Sequence, residues 1–139
     1  MSQNEKNTTW EYNGSVFEFD LADLDCAENY ETALANLQKR EKSRTKDGSM
    51  SDRIREYDAM FRSLFDDLFG KGAGDAVLGE SKNTNNCDAA FDNFLEFVIK
   101  QQEANDRAVS SLISKYEKYQ PNRAQRRATS NVKKYKPAD

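Results

Sequence analysis

The chain has 139 residues, enough for one ordinary domain, with 37% apolar and 32% charged residues, and so a modest core with polar ends and loops. It contains no histidine, which removes the commonest metal ligand and the commonest acid/base group. Charge is unevenly split: residues 121–139 carry net +5 and residues 1–120 carry net −8, so the body repels phosphate and does not bind nucleic acid nonspecifically.

Met1 to Thr9 is polar throughout and is not read as a signal peptide. Residues 1–7 are expected to be disordered. No apolar run approaches the roughly 20 residues of a membrane span. Cys26 and Cys87 stand far apart in no paired motif. They read as buried thiols of a reducing compartment.

Residues 8–20, "TTWEYNGSVFEFD", read as a β-hairpin closed at Asn13-Gly14, since both residues tolerate the positive φ of a type I′ turn. That closure pairs Tyr12 with Ser15, Glu11 with Val16 and Trp10 with Phe17. Alternation then puts Trp10, Tyr12, Phe17 and Phe19 on one face, and Glu11, Val16 and Glu18 on the other. An isolated hairpin is marginal in water, so the aromatic face needs a cover. It is either core under the second helix or, in part, a docking surface for another protein.

Asp25 followed by Glu28 resembles a capping box, and Ala27, Tyr30, Leu34 and Leu37 follow at helical spacing. They predict a helix at about 24–42 with a basic end. After the polar loop "SRTKDGS", Ser49 or Ser51 opens a second helix over 50–69. Its stripe is Ile54, Tyr57, Phe61, Leu64, Phe65 and Leu68, and Gly70 stops it. This is the best core candidate. Residues 70–86 read as a flexible, turn-rich connector in which "GDAVLG" forms one helical turn. Asn85 or Asn86 caps a third helix over 86–119, with Cys87, Phe91, Phe94, Leu95 and Val98 on its apolar face. That stripe weakens at Gln101, Gln102 and Asn105 and resumes with Val109, Leu112, Ile113 and Tyr116. Either one long helix or two with a break near Asn105 fits this pattern. Pro121 ends helical structure. Residues 120–139 form a basic tail, read as flexible.

The fold class is therefore α+β, mainly α-helical: an N-terminal hairpin, three to four helices and a tail, with residues 8–119 as a single domain. Gly70-Lys71-Gly72-Ala73-Gly74 follows a helix and has no Ser or Thr after its lysine, so it is not a phosphate loop. Asp66 and Asp67 point about 100° apart on a helix and read as acids on its solvent side. No serine or cysteine has a histidine to act as its base. The reading is non-enzymatic, with no cofactor and no metal. The tail "PNRAQRRATSNVKKYK" is a solvated run, a grip on an acidic protein surface, or an arginine-rich nucleic-acid segment.

"WEYNGSVFEFD", "FRSLFDDLFGKG", "FDNFLEFV" and "NRAQRRA", in this order over residues 8–128, resemble a group of small phage and prophage proteins of Gram-positive hosts, similar to the tail assembly chaperones of long-tailed phages. The resemblance implies a non-enzymatic protein of the host cytoplasm, absent from the mature virion. It would coat the tape-measure protein, its client, and form oligomers of itself. In related phages a longer, frameshifted form would add the tail-tube protein as a partner. Client contact is then expected at Phe61, Leu64, Phe65, Leu68 and Phe69, or at Phe91, Phe94 and Val98, where these are exposed. Trp10 and Tyr12 of the hairpin and Arg123, Arg126 and Arg127 of the tail are further candidate partner-binding residues. The alternatives are a phage structural or connector accessory protein, and a nucleic-acid-binding regulator that uses the tail.

Overall fold

Two short strands and four helices make up the described part of the chain, residues 7–119 of a computed structural model. Strands β1 (Thr9–Tyr12) and β2 (Ser15–Glu18) pair antiparallel in the expected register: Trp10 faces Phe17 and Tyr12 faces Ser15. Asn13 and Gly14 take φ of 51° and 81°, as a two-residue turn of this hand requires. Helix α1 is Leu24–Lys42, α2 Met50–Phe69, α3 Ala73–Leu78 and α4 Thr84–Tyr119. The fold is α+β and mainly helical. The break considered near Asn105 does not occur, and α4 continues to Tyr119. Among the described residues, no helix is long and apolar enough to cross a membrane. The expected disorder of residues 1–7, apart from Asn7, and the basic tail lie outside the described residues.

The chain divides into two units, Met1–Asn105 and Asp106–Asp139. In the first, the aromatic face of the hairpin is covered from two sides. Trp10 stacks on Phe65 of α2 at 5.7 Å between ring centroids and meets Phe94 of α4 edge-on at 5.2 Å. Phe19 meets Phe94 edge-on at 5.2 Å and Tyr30 of α1 at 5.7 Å. Edge-on pairs set the positive rim of one ring against the negative face of the other. Phe61 of α2 packs on Phe91 of α4. The outer face of the hairpin, Glu11, Val16 and Glu18, is exposed.

Polar groups anchor this core at its edges. Trp10 Nε1–H donates to Asn93 Oδ1 at 2.9 Å, so the indole is buried without losing its one hydrogen bond. The Gln101 side chain is 2% exposed and fully bonded. Its Nε2 donates to the carbonyls of Asn7 (2.7 Å) and Phe19 (2.8 Å), and its Oε1 accepts from Leu21 N–H (2.7 Å). Gln101 therefore clamps both ends of the hairpin to α4. It had read as a weak point of an apolar stripe and is a fastening instead. Asn13 Nδ2 ties the hairpin turn to the Val77 carbonyl of α3.

Two helix starts and the 70–86 connector differ from expectation. The cap of α1 is Asp23, whose carboxylate accepts from Cys26 N–H; Asp25 lies inside the first turn. Both aspartates suit a helix start, and only Asp23 has the extended backbone that lets a cap fold back on free N–H groups. At α4 the capping residue is Asn83, not Asn85 or Asn86. Its side chain accepts from Asn85 N–H and its carbonyl from Asn86 and Cys87 N–H. Ser49 caps α2 as expected. The connector is not free: α3 packs on α2 so closely that a β-carbon at Gly74 would lie 2.3 Å from the Arg62 carbonyl oxygen. Asp66, placed on the solvent side by the sequence, accepts from Gly74 N–H at 2.7 Å, and Asp67 pairs with Arg40 at 3.0 Å.

Two substitutions test this packing. Gly74→Ala forces α2 and α3 apart and is expected to lower stability by about 2–3 kcal/mol in urea unfolding. Gln101→Leu strands one N–H and two carbonyls and is expected to lose about 2–4 kcal/mol. A loss below half a kilocalorie in either would contradict the arrangement described.

Candidate functional site

Two features could carry function: a polar cluster inside the first unit and an apolar helix face in the second. The polar cluster grows from α2. Asp58, one turn before Arg62, is buried to 1% exposure. Arg62 answers it with Nε at 2.6 Å and also reaches Asp75 of α3 at 3.0 Å and the Ser81 carbonyl at 3.2 Å. Its hydrogen bond to Asp58 holds the guanidinium still more firmly in its charged form. Cys87 Sγ lies 3.8 Å from the Asp58 carboxylate. Tyr57 donates to Asp88 in a short hydrogen bond.

The chemistry of this cluster is that of a fastening. Burial, with Asp58 as a second cause, pushes the Cys87 thiol up to about 11. A nucleophilic cysteine needs the opposite shift, because the thiolate is the reactive form. Burial, then the hydrogen bond to Asp88, pushes the Tyr57 phenol up to about 12. Arg62 already has partners on α2, on α3 and in the loop before α4. Among the described residues no group of three or more His, Cys, Asp or Glu could hold a metal ion. Both cysteines are free thiols, Cys87 buried and Cys26 half-buried.

The apolar face lies on the C-terminal part of α4. Val109, Leu112, Ile113 and Tyr116 recur at i, i+3, i+4 and i+7, and all are more than half exposed. Tyr119 extends the row and is 85% exposed. Ser110, Ser111 and Ser114 occupy other positions around the same turns. The remaining large exposed apolar residues, such as Val16, Leu24, Met50 and Ile99, do not form such a row. Single exposed apolar residues are ordinary on any protein surface, whereas a contiguous apolar row marks an interaction surface.

The residues singled out from sequence fall elsewhere. Trp10, Phe61, Leu64, Phe65, Leu68, Phe94 and Val98 are buried in the first unit, so the exposure on which client contact depended is not met there. Tyr12, Phe69 and Phe91 are half-buried against the same core. Between α1 and α2, Leu37, Gln38, Glu41, Lys42, Tyr57, Met60 and Phe61 line an open groove. Arg123, Arg126 and Arg127 lie outside the described residues. The row at 109–119 was visible as a periodic pattern, but not as the one left uncovered. The available signal was its position after the polar break at Gln101–Asn105, beyond the last residues that meet the hairpin.

The raised Cys87 and Tyr57 values give a signed pH dependence. Above about pH 9 the unfolded chain loses the Cys87 proton while the folded chain keeps it to about 11; Tyr57 repeats this between about 10 and about 12. Stability contributed by the neutral forms is complete below pH 9 and falls as pH rises through these windows. The urea midpoint is expected to drop between about pH 8 and about pH 10.5, and less so in Cys87→Ala than in the parent. An equal slope in both proteins would remove Cys87 as a cause.

Comparison with curated proteins and with solved structures gives no match. A family model described as a family of unknown function, DUF6673, matches residues 13–130. That span takes in the hairpin turn, all four helices and the row at 109–119, and on it the chain belongs to the DUF6673 family.

Proposed function

We propose that this chain is a non-enzymatic assembly factor that binds another protein through the apolar face of α4, and that its client is the tape-measure protein of a long-tailed phage. The observation that carries the reading is the row Val109, Leu112, Ile113, Tyr116 and Tyr119, exposed on an amphipathic helix. An amphipathic helix recognises a partner by laying such a row against the partner's apolar surface. The resemblance of "WEYNGSVFEFD", "FRSLFDDLFGKG" and "NRAQRRA" to tail assembly chaperones supplies the identity of the client. On this reading the protein acts in the host cytoplasm before the tail tube forms and leaves before the virion is complete. The net negative charge of residues 1–120 keeps the complex soluble.

A moderate, displaceable affinity suits this role. The row holds five side chains, and its approach is broken on the N-terminal side by Gln102 and Asn105. Most affinity differences among related complexes arise in the dissociation rate, so a short row gives a short-lived contact. The test is co-expression with the tape-measure protein followed by pull-down. The chain is expected to co-purify with it, and Leu112→Glu is expected to weaken capture about tenfold or more. No capture of the tape-measure protein by the parent chain would sink the reading. Particle composition gives a second check: the protein should be missing from purified virions, whereas a structural or connector accessory would be present in many copies.

A further inference from the structure

The apolar row of α4 stands on a stretch of helix that has little to hold it when no partner is bound. We propose that residues 106–119 are a fold-on-binding segment: they exchange between helix and coil in client-free protein, and the client holds them helical. The inference rests on the reading that this face binds protein, and adds how that site is regulated.

Three observations carry it. Every residue from Asp106 to Tyr119 is exposed, whereas the earlier part of α4 buries Cys87, Ala90, Phe94, Val98, Gln101 and Ala104. Among the described residues, none from 106 to 119 enters an ion pair, a ring pair or a side-chain hydrogen bond. Helices in proteins owe most of their stability to the packing of an apolar face, and this stretch lacks that packing. Next, its residues are weak helix formers. Asp106, Val109, Ser110, Ser111, Ile113, Ser114, Tyr116 and Tyr119 all stand in the lower half of the helix scale. The branched and aromatic side chains lose χ1 freedom in a helix, and the serines and the aspartate compete for backbone hydrogen bonds. Finally, the stretch holds no acid–base pair at i, i+3 or i, i+4 to offset this.

The preceding turns of α4 spare the segment the cost of nucleation, so the helical form is always within reach. Only in that form do Val109, Leu112, Ile113 and Tyr116 share one face. A client therefore binds the helical fraction, and the apparent dissociation constant rises as that fraction falls. Ordering cost thus keeps the contact displaceable by a route separate from the size of the row.

The experiment is hydrogen–deuterium exchange of the full chain, read by mass spectrometry, alone and with the tape-measure protein. Without client, peptides from 106–119 are expected to exchange within about tenfold of an unstructured chain. Those from 87–101 should exchange at least about a thousandfold more slowly. A client-free segment protected as strongly as 87–101 overturns the proposal. Ser110→Ala, Ser111→Ala and Ser114→Ala combined test the coupling. These serines lie off the row, so the change alters helix propensity and leaves the contact alone. The triple alanine variant should slow exchange of 106–119 and strengthen capture about threefold or more. The matching triple glycine variant should weaken capture about tenfold. Both should keep the parent's melting temperature, because all three positions are exposed. Equal capture by parent and both variants overturns the coupling. Fast exchange without capture by any of them leaves the helix–coil segment standing and removes the proposed function. Capture by a chain whose segment is already protected does the reverse.

Discussion

Covering one aromatic face governs the first unit. Trp10, Tyr12, Phe17 and Phe19 line one side of a two-stranded hairpin that cannot hold itself together in water. Phe65 and Phe69 of α2 and Phe94 of α4 close over that face, with Tyr30 of α1 against Phe19. Burying a backbone edge beside them would strand its polar groups. Gln101 resolves this by bonding the Leu21 N–H and the Asn7 and Phe19 carbonyls in one side chain. Hairpin, α2 and α4 are therefore parts of one packing solution, and α3 completes it by holding the turn at Asn13.

That solution has a consequence for binding. The strongest apolar stripe in the sequence, on α2, is consumed internally by the hairpin and α4. So are the first apolar positions of α4, from Cys87 to Val98. What remains for a partner is the part of α4 that follows Asn105, where the same periodicity recurs and the side chains are exposed. Hydrophobic strength in the sequence and availability for binding are thus opposed. The stripe with the most apolar area is the one folding buries first, because burial scales with area.

Local signals carried most of the secondary structure. Asn13-Gly14 determined both the turn and the register, since a two-residue turn leaves no freedom in strand pairing. Stripe spacing located the three long helices, and Ser49 opened α2 where its side chain could reach a free N–H. The helix starts at Asp23 and Asn83 were harder to read, because several neighbouring residues had the right chemistry and backbone conformation chose among them. Polar residues misled more often. Gln101 and Asp67 have partners far away in sequence and Asp66 has one in the next helix, and a carboxamide or carboxylate has no periodicity to reveal such a partner.

The sequence by itself determined the mixed, mainly helical architecture, the hairpin register, the faces of each element and the separation of an acidic body from a basic end. These depend on neighbours within one turn or one strand pair, where geometry is short-range. Only the tertiary structure decided which apolar faces are spent and which remain, that Gly74 is a site of helix contact, and that Gln101 is a clamp. Each of those is a relation between residues distant in the chain, set by how close two backbones come and which polar groups they would otherwise leave unpaired.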